Sequence, residues 1–441
     1  MYLENIRNIN IIGGFIMKRK TFISILLCFI LIVSSFTGIT YADKSSIERD
    51  MKILASKEFM GRLVGTEGNE KAIDYVTDRF SEIGLEAFDE DYHHVCKQTI
   101  YDPEKQIHCL EVIFQNGNTK QYEYGKDFCD RMAIKEVDIS APITFDKNDQ
   151  DMDKKIMVIG ENDKLFDYNN KCQAVFQKTN SFFKVAIVRP KGTPNIEISE
   201  KLYNTLLSEK VKEVKLITKH ISHEVDIKQP VGKISGKDHK KLLVLSAHMD
   251  HSGWAGKTIF YGAVDNAAGT STIIDIAEKL KKQSEKKPFN MDILICASNG
   301  EDSMLTNLDD LLNELKSEYD EIYDINIDTI GKKDGGMICL NGDKEQNKEL
   351  IEDLMKCFSK NNYEVLDEYY GASDHVIFNN QGFCGITVGQ KDVFGENNTT
   401  SIHTEEDTLH IIDYDQLYKV SDIIYDFIVT NDGKIYKPDN K

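Results

Sequence analysis

After Val231 the chain alternates short apolar runs with longer amphipathic ones, and this alternation restricts its fold more than any other feature. The runs at 242–247, 291–297, 323–327 and 385–388 are short enough for strands and too apolar to have a solvated face. Between and after them, 268–281 carries Ile273, Ile274, Ala277 and Leu280 at helical spacing. The segments 347–359 and 415–429 also have helical periodicity. Strands apolar on both sides need cover on both sides. The pattern therefore predicts an α/β domain, a mainly parallel mixed sheet with helices on both faces. Sheets of this kind bind ligands at the carboxyl ends of their strands.

The N-terminal part has a different character. From 50 to 86 the sequence predicts a helix, a Gly-rich loop (Gly61-Arg62-Leu63-Val64-Gly65-Thr66) and a second helix closed by Gly84. From about 96 to 226 it breaks into short β-like runs at 156–159, 184–188 and 214–218, as expected of an inserted smaller β-rich domain. The expected organisation is thus a leader over 1–42, a first part of the catalytic domain over 43–96, an insert over 97–225 and the main catalytic domain over 226–441.

The leader follows from Lys18, Arg19 and Lys20, the apolar stretch 21–39 and the small residues of Thr40-Tyr41-Ala42, which together predict a signal peptide cleaved after Ala42 and a secreted chain. Gly13-Gly14 lies just before Met17, and two glycine codons can spell a ribosome-binding sequence, so translation is expected to start at Met17. An uncleaved anchor is the alternative, because the apolar stretch is nearly long enough to span a bilayer. No stable membrane association is expected after cleavage. Cys28 follows Leu26-Leu27 and lacks the small residue that precedes a lipoprotein cysteine. The other eight cysteines contain no Cys-x-x-Cys pair, which argues against a zinc ribbon and leaves disulfides and free thiols both open. A formal charge of -19 argues against nucleic acid as a partner. Nothing in the sequence assigns an oligomeric state.

Chemistry gathers where the strands end. His248 and Asp250 follow the first run, Glu301 and Asp302 the second, and Asp328 the third. Asp265 sits in the loop Gly262-Ala263-Val264-Asp265-Asn266 that opens a helix, and His403 follows the last run. With 73 Asp and Glu among 441 residues, one acid at one strand end means little. Several acids and imidazoles at one edge of one sheet are another matter, since their mutual repulsion is prohibitive without a cation. Histidine with carboxylate is a ligand set that zinc accepts. His239 and His410 stand alone and read as surface histidines.

The ordered set Ser246-Ala247-His248-Met249-Asp250, Gly262 to Gly269, Gly300-Glu301-Asp302, Asn326-Ile327-Asp328-Thr329-Ile330-Gly331, Ser373-Asp374-His375 and His403-Thr404-Glu405-Glu406-Asp407-Thr408 strongly resembles the co-catalytic dizinc aminopeptidases. That family includes secreted bacterial leucine aminopeptidases, aminopeptidase Y, glutamate carboxypeptidase and glutaminyl cyclase. Phe59-Met60-Gly61-Arg62 with Gly65-Thr66 resembles its N-terminal segment, and the insert resembles its protease-associated domain.

The resemblance implies two zinc ions bridged by Asp265. His248 and Asp328 would complete one coordination sphere, and Asp302 and His403 the other. It further implies Glu301 as general base to a water between the ions, Asp250 holding the His248 ring, and a cis peptide at Asp265-Asn266. Asp374 and Asp407 become outer partners, while Ser373, His375, His251 and Trp254 are taken as structural. The implied substrates are peptides with a free N-terminus. Two departures stand out. Asp302 occupies a position where the family has glutamate, one methylene longer, which puts occupancy of the second zinc site in question. Ser303-Met304-Leu305-Thr306-Asn307 replaces a Gly-rich family sequence. The rival readings are a single-zinc glutaminyl cyclase, a carboxypeptidase for acidic C-termini, which would need a basic pocket, and a catalytically inactive binding protein.

N-terminal sequencing of the exported protein should begin at Asp43, and no precursor should carry Tyr2 to Ile16. A precursor containing those residues would contradict the start at Met17.

Overall fold

The central strand shows why the sheet forms. Leu243, Leu245 and Ala247 enter one apolar core and Leu242 and Val244 the other, and all five are fully buried. At about 1.5–3 kcal/mol for each large aliphatic side chain removed from water, a strand apolar on both faces is stable only between two layers. A computed structural model describes residues 46–438 except 89–90, 307, 369–370 and 394–400. The expected signal segment, the start at Met17 and Cys28 lie outside these residues.

The main sheet contains β1 (Glu86–Ala87), β2 (His93–Tyr101), β3 (Ser222–Ile234), β4 (Lys241–His248), β5 (Asp292–Ser298), β6 (Glu321–Ile327), β7 (Ile338–Asn341), β8 (Val365–Asp367) and β9 (Cys384–Gln390). Their order is β1-β3-β5-β4-β6-β9-β7-β8, with β2 paired to β3. The centre, β5-β4-β6-β9, is parallel, and antiparallel pairings of β3 with β5 and β7 with β9 flank it. Leu245 aligns with Ile295 on one side and Ile325 on the other. The fold is therefore the mixed α/β architecture expected.

The helices packed on this sheet are α1 (Ser46–Leu54), α2 (Glu67–Ile83), α3 (Ala268–Lys286), α4 (Leu308–Glu318), α5 (Lys348–Lys360), α6 (His375–Asn380) and α7 (Tyr414–Thr430). The first three, with α5 and α7, cover the face that receives Leu243 and Leu245. The other face is covered by α4 and by Phe378 of α6. Helix α2 starts where Thr66 accepts a hydrogen bond from the Asn69 N–H and stops at Gly84, whose φ of 81° is left-handed, a conformation glycine adopts without strain.

The β-rich insert is reached along a two-stranded ribbon. β2 and the first part of β3 pair antiparallel from His93 with Pro230 to Tyr101 with Ser222, so positions 97 and 225 both fall within this ribbon. Beyond it, a four-stranded and a six-stranded sheet enclose a separate core that includes Leu110, Phe128, Ile156, Phe176, Ile198 and Leu216. The run expected as a strand over 184–188 is mostly irregular, and only Val188–Arg189 pairs within that sheet. The reason is local: the Lys184 N–H donates to the His403 carbonyl at 2.8 Å, outside the sheet.

No disulfide joins the eight described cysteines. No helix among the described residues is long and apolar enough to cross a membrane.

Candidate metal centre

Parallel strands end at the same edge, so the polar residues that follow them are neighbours however far apart they are in sequence. β4 ends on His248, Gly300-Glu301-Asp302 follow β5 closely, and Asp328 directly follows β6. Asp265 lies in a single irregular turn, Ala263–Ala267, ahead of α3. The Asp265–Asn266 peptide is cis.

The two oxygens of Asp265 face opposite ways. Its Oδ1 is 3.2 Å from His248 Nε2, which is also 3.2 Å from Asp328 Oδ1. Its Oδ2 is 3.2 Å from His403 Nε2, which is 3.6 Å from Asp302 Oδ1. Two donor groups thus share one carboxylate: His248, Asp265 and Asp328, and His251, Asp265, Asp302 and His403, each with donor atoms within 4.8 Å of one another. Tetrahedral zinc with ligands at about 2.0–2.1 Å separates its donors by about 3.3 Å, which matches most of these spacings. Glu301 sits where the charges of His248, Asp302, Asp328 and Asp374 all act on it. The structure therefore brings together all seven residues expected at the site.

The electrostatics fit a missing cation. Every ion pair that Asp265, Asp302 and Asp328 make among the described residues is with a histidine. Burial opposes a charged His248 imidazole, yet Asp328, Asp250 and Asp265 raise its pKa well above the ordinary value. Burial likewise opposes charge on His403, but Asp302 and Asp265 lift it to about 9. The Glu301 carboxyl is pushed well above its usual range, by burial first and by Asp302, Asp328 and Asp374, with His248 opposing. Two atoms of the second group, His251 Nδ1 and Asp302 Oδ2, are buried with no hydrogen-bond partner, a cost of about 1–3 kcal/mol each unless something binds them.

Other side chains fix the ligand-bearing loops. Asp407 accepts hydrogen bonds from the Val264 and Asp265 N–H groups at 2.7 and 3.1 Å. Asp250 Oδ1 accepts from the Glu301 N–H at 3.1 Å and lies 3.7 Å from His248 Nδ1, so its closer hold is on the Glu301 backbone. Asp374 accepts from Ser298. Ser373, taken from the sequence as structural, donates to Asp328 Oδ2 at 2.8 Å. His251, also taken as structural, lies in the second donor group. His375 bonds Thr387, and Trp254 sits in a short hairpin with Ile259.

Arg62 is the residue whose role the sequence left unread. Fully buried, it donates from Nε to the Met249 carbonyl at 2.7 Å, from Nη1 to Leu54 and Tyr261 at 2.8 Å each, and from Nη2 to Gly262 at 2.8 Å. One guanidinium thereby ties the His248 loop to the Asp265 loop. Gly61 permits this close approach: a Cβ there would come within 2.3 Å of the Phe260 carbonyl oxygen and 2.5 Å of that of Gly253.

A second His and Asp group, His108, Asp130 and His220, lies in the insert. There Lys184 stands 3.0 Å from Asp130 and, against the effect of burial, holds that carboxyl well below its usual range. Its charge is balanced from within. Among the described residues, no lysine pairs with the carboxylates of the group around Asp265.

The fold and the paired donor groups define a mixed α/β domain with two adjoining candidate cation sites. Residues 230–428, which carry every candidate ligand, match Peptidase family M28. No curated protein matches the sequence. Among solved structures, the chain is similar to a zinc aminopeptidase from Bacillus subtilis, with 19% identity over 89% of this chain and 95% of that one and a TM-score of 0.66. It is also similar to a peptidase M28 precursor from Shewanella amazonensis, with 15% identity over 90% and 99% and a TM-score of 0.60. An aminopeptidase from Aneurinibacillus sp. strain AM-1 matches with 15% identity over 90% and 96% and a TM-score of 0.59.

Replacing the guanidinium while keeping its stem, Arg62→Met, removes four hydrogen bonds to main-chain carbonyls, of which the Gly262 oxygen keeps another, from the Ala267 N–H. Chemical denaturation should show a loss of about 3–5 kcal/mol. A loss below about 1 kcal/mol would show that Arg62 does not clamp the loops.

Proposed function

We propose that the chain is a secreted zinc aminopeptidase that removes N-terminal residues from peptides. The observation that carries this reading is the division of Asp265 between two donor groups, one oxygen to each. Shared ligation of that kind supports two ions rather than one, and so favours a peptidase over a single-zinc cyclase. Zinc is favoured over magnesium or calcium because imidazoles contribute to both groups. The similarity in fold to the Bacillus subtilis zinc aminopeptidase and the Aneurinibacillus aminopeptidase supports the same reading. Export rests on the leader expected over 1–42.

When bound, divalent ions at such a site lower the pKa of a water toward neutrality and stabilise negative charge on the carbonyl oxygen under attack. The chain's own residues do the remaining work. Glu301 takes a proton from the attacking water and delivers it to the departing nitrogen, and its raised pKa suits it to both halves of that task. Asp250 fixes the Glu301 backbone through its N–H. The surrounding carboxylates attract the free α-ammonium of a substrate, which favours the first peptide bond over internal ones. A small pocket of about 120 Å3 is lined by Leu63, Val64, Ile100, Val185, Ile187 and Leu305 together with Ser252 and Ser303. Its largely apolar wall suits an uncharged side chain.

The purified mature chain should hydrolyse free aminoacyl anilides, spare N-blocked ones, lose activity to chelator and regain it with zinc. Glu301→Gln should keep its metal and lose about two to four orders of magnitude in kcat. Asp265→Ala should lose both ions. Near-normal turnover in Glu301→Gln, or equal hydrolysis of blocked substrates, would contradict the reading.

A further inference from the structure

The shorter reach of Asp302 leaves a question that His251 answers. We propose that His251 is itself a ligand of the second metal ion, joining Asp265, Asp302 and His403 to make a site with four protein ligands. This inference rests on the two-metal reading above and extends it to a residue outside the set of five.

The position of the imidazole comes first. His251 Nδ1 is 2.6 Å from Asp302 Oδ2 and 3.9 Å from Asp265 Oδ2. The ring of His403 is beside it, with centroids 5.3 Å apart. Its donor atom belongs with those of Asp265, Asp302 and His403, all within 4.8 Å of one another.

The second observation is what these atoms do not do. Despite the 2.6 Å separation, neither His251 Nδ1 nor Asp302 Oδ2 makes a hydrogen bond, and His251 Nε2 makes none either. The ring is fully buried. A nitrogen and an oxygen this close, with neither aligned to donate to the other, repel unless a third group attracts both lone pairs. A cation does so. Leaving the imidazole unbound would instead strand its Nδ1 and the Asp302 oxygen beside it, buried and without a partner.

Packing then fixes the ring where a ligand has to be. Gly262 adopts φ 59°, and a Cβ on it would come within 2.5 Å of His251 Cγ and 2.6 Å of Cδ2. The glycine that opens the Asp265 loop therefore also makes room for this imidazole. Asp302, a methylene short of the glutamate expected at its position, meets His251 at the place where the longer side chain would have reached further. The imidazole adds a donor beside the shorter carboxylate. The resulting site has two imidazoles and two carboxylates, a set that holds zinc in preference to harder cations.

The competing explanation is a positioning role, in which His251 merely pairs with Asp302 and touches no metal. Cadmium-113 NMR of the full chain, labelled with nitrogen-15 histidine and loaded with cadmium alone, separates the two. Metal is counted in the same sample. The proposal predicts two ions per chain and scalar coupling to cadmium at three imidazoles, those of His248, His251 and His403, with the His251 signal assigned by its absence in His251→Gln. Two bound ions with coupling at His248 and His403 alone would overturn the proposal and leave the two-metal reading intact. Fewer than two ions in the wild-type chain would overturn both. In His251→Gln, checked for native circular dichroism, one of the two cadmium affinities should fall at least about 10–100-fold while the other is unchanged. Two unchanged affinities would likewise overturn it.

Discussion

Carboxylates repel one another most strongly where water is absent, and this chain buries Asp250, Asp265, Asp302, Asp328, Asp374 and Asp407 at one edge of one sheet. Nothing in ordinary folding rewards such a cluster. Hydrogen bonds from Ser298, Ser373 and the backbone satisfy individual oxygens, and His248 and His403 pair with Asp265, Asp302 and Asp328. These devices hold the site together without relieving the concentration of charge. Divalent cations relieve it directly, and much of the surrounding structure makes sense as a frame that keeps the donors in place until they bind. The lysine-balanced group around Asp130 shows the other solution to the same problem, and it is the solution this site lacks.

The frame is assembled from parts distant in sequence. Arg62, from the N-terminal segment, bonds backbone on both sides of the centre, at Met249 and at Gly262. Asp407, near the C-terminal helix, holds the turn that carries Asp265. The insert contributes as well: the Lys184 carbonyl approaches His403 Nδ1 at 3.3 Å, and Phe183 stacks on the same ring. The irregular backbone over 184–187 is therefore part of the centre's wall, which explains why an apolar run that reads as a strand does not pair as one.

Much of this was legible before any coordinates. Apolar runs buried on both faces gave the strands of the parallel centre to within two residues at most of their ends, because burial on two sides leaves few other conformations for short apolar segments. The residues brought together around Asp265 were legible for the same reason, each following a strand that had to end at a shared edge. Helix α4 was missed although Leu308, Leu311, Leu312 and Leu315 have helical spacing, since attention rested on the departure from family pattern just before it. Arg62, Ser373 and His251 were out of reach for a different reason. An arginine bonding only to carbonyls, a serine touching one carboxylate and a histidine three residues beyond another leave no periodic trace, and their roles depend on side-chain directions that only the folded chain defines. Even so, the close spacing of His248, Asp250 and His251 in one short loop was a signal that this loop carries more than one donor.

The central claim is that two cations belong on either side of the Asp265 carboxylate. Crystals of the chain grown with zinc, measured above and below the zinc absorption edge, test it most directly. The account predicts two anomalous peaks, one enclosed by His248, Asp265 and Asp328 and the other by Asp265, Asp302 and His403. A well-ordered crystal with no peak beside Asp265, or with Asp265 touching neither of the ions present, would contradict it.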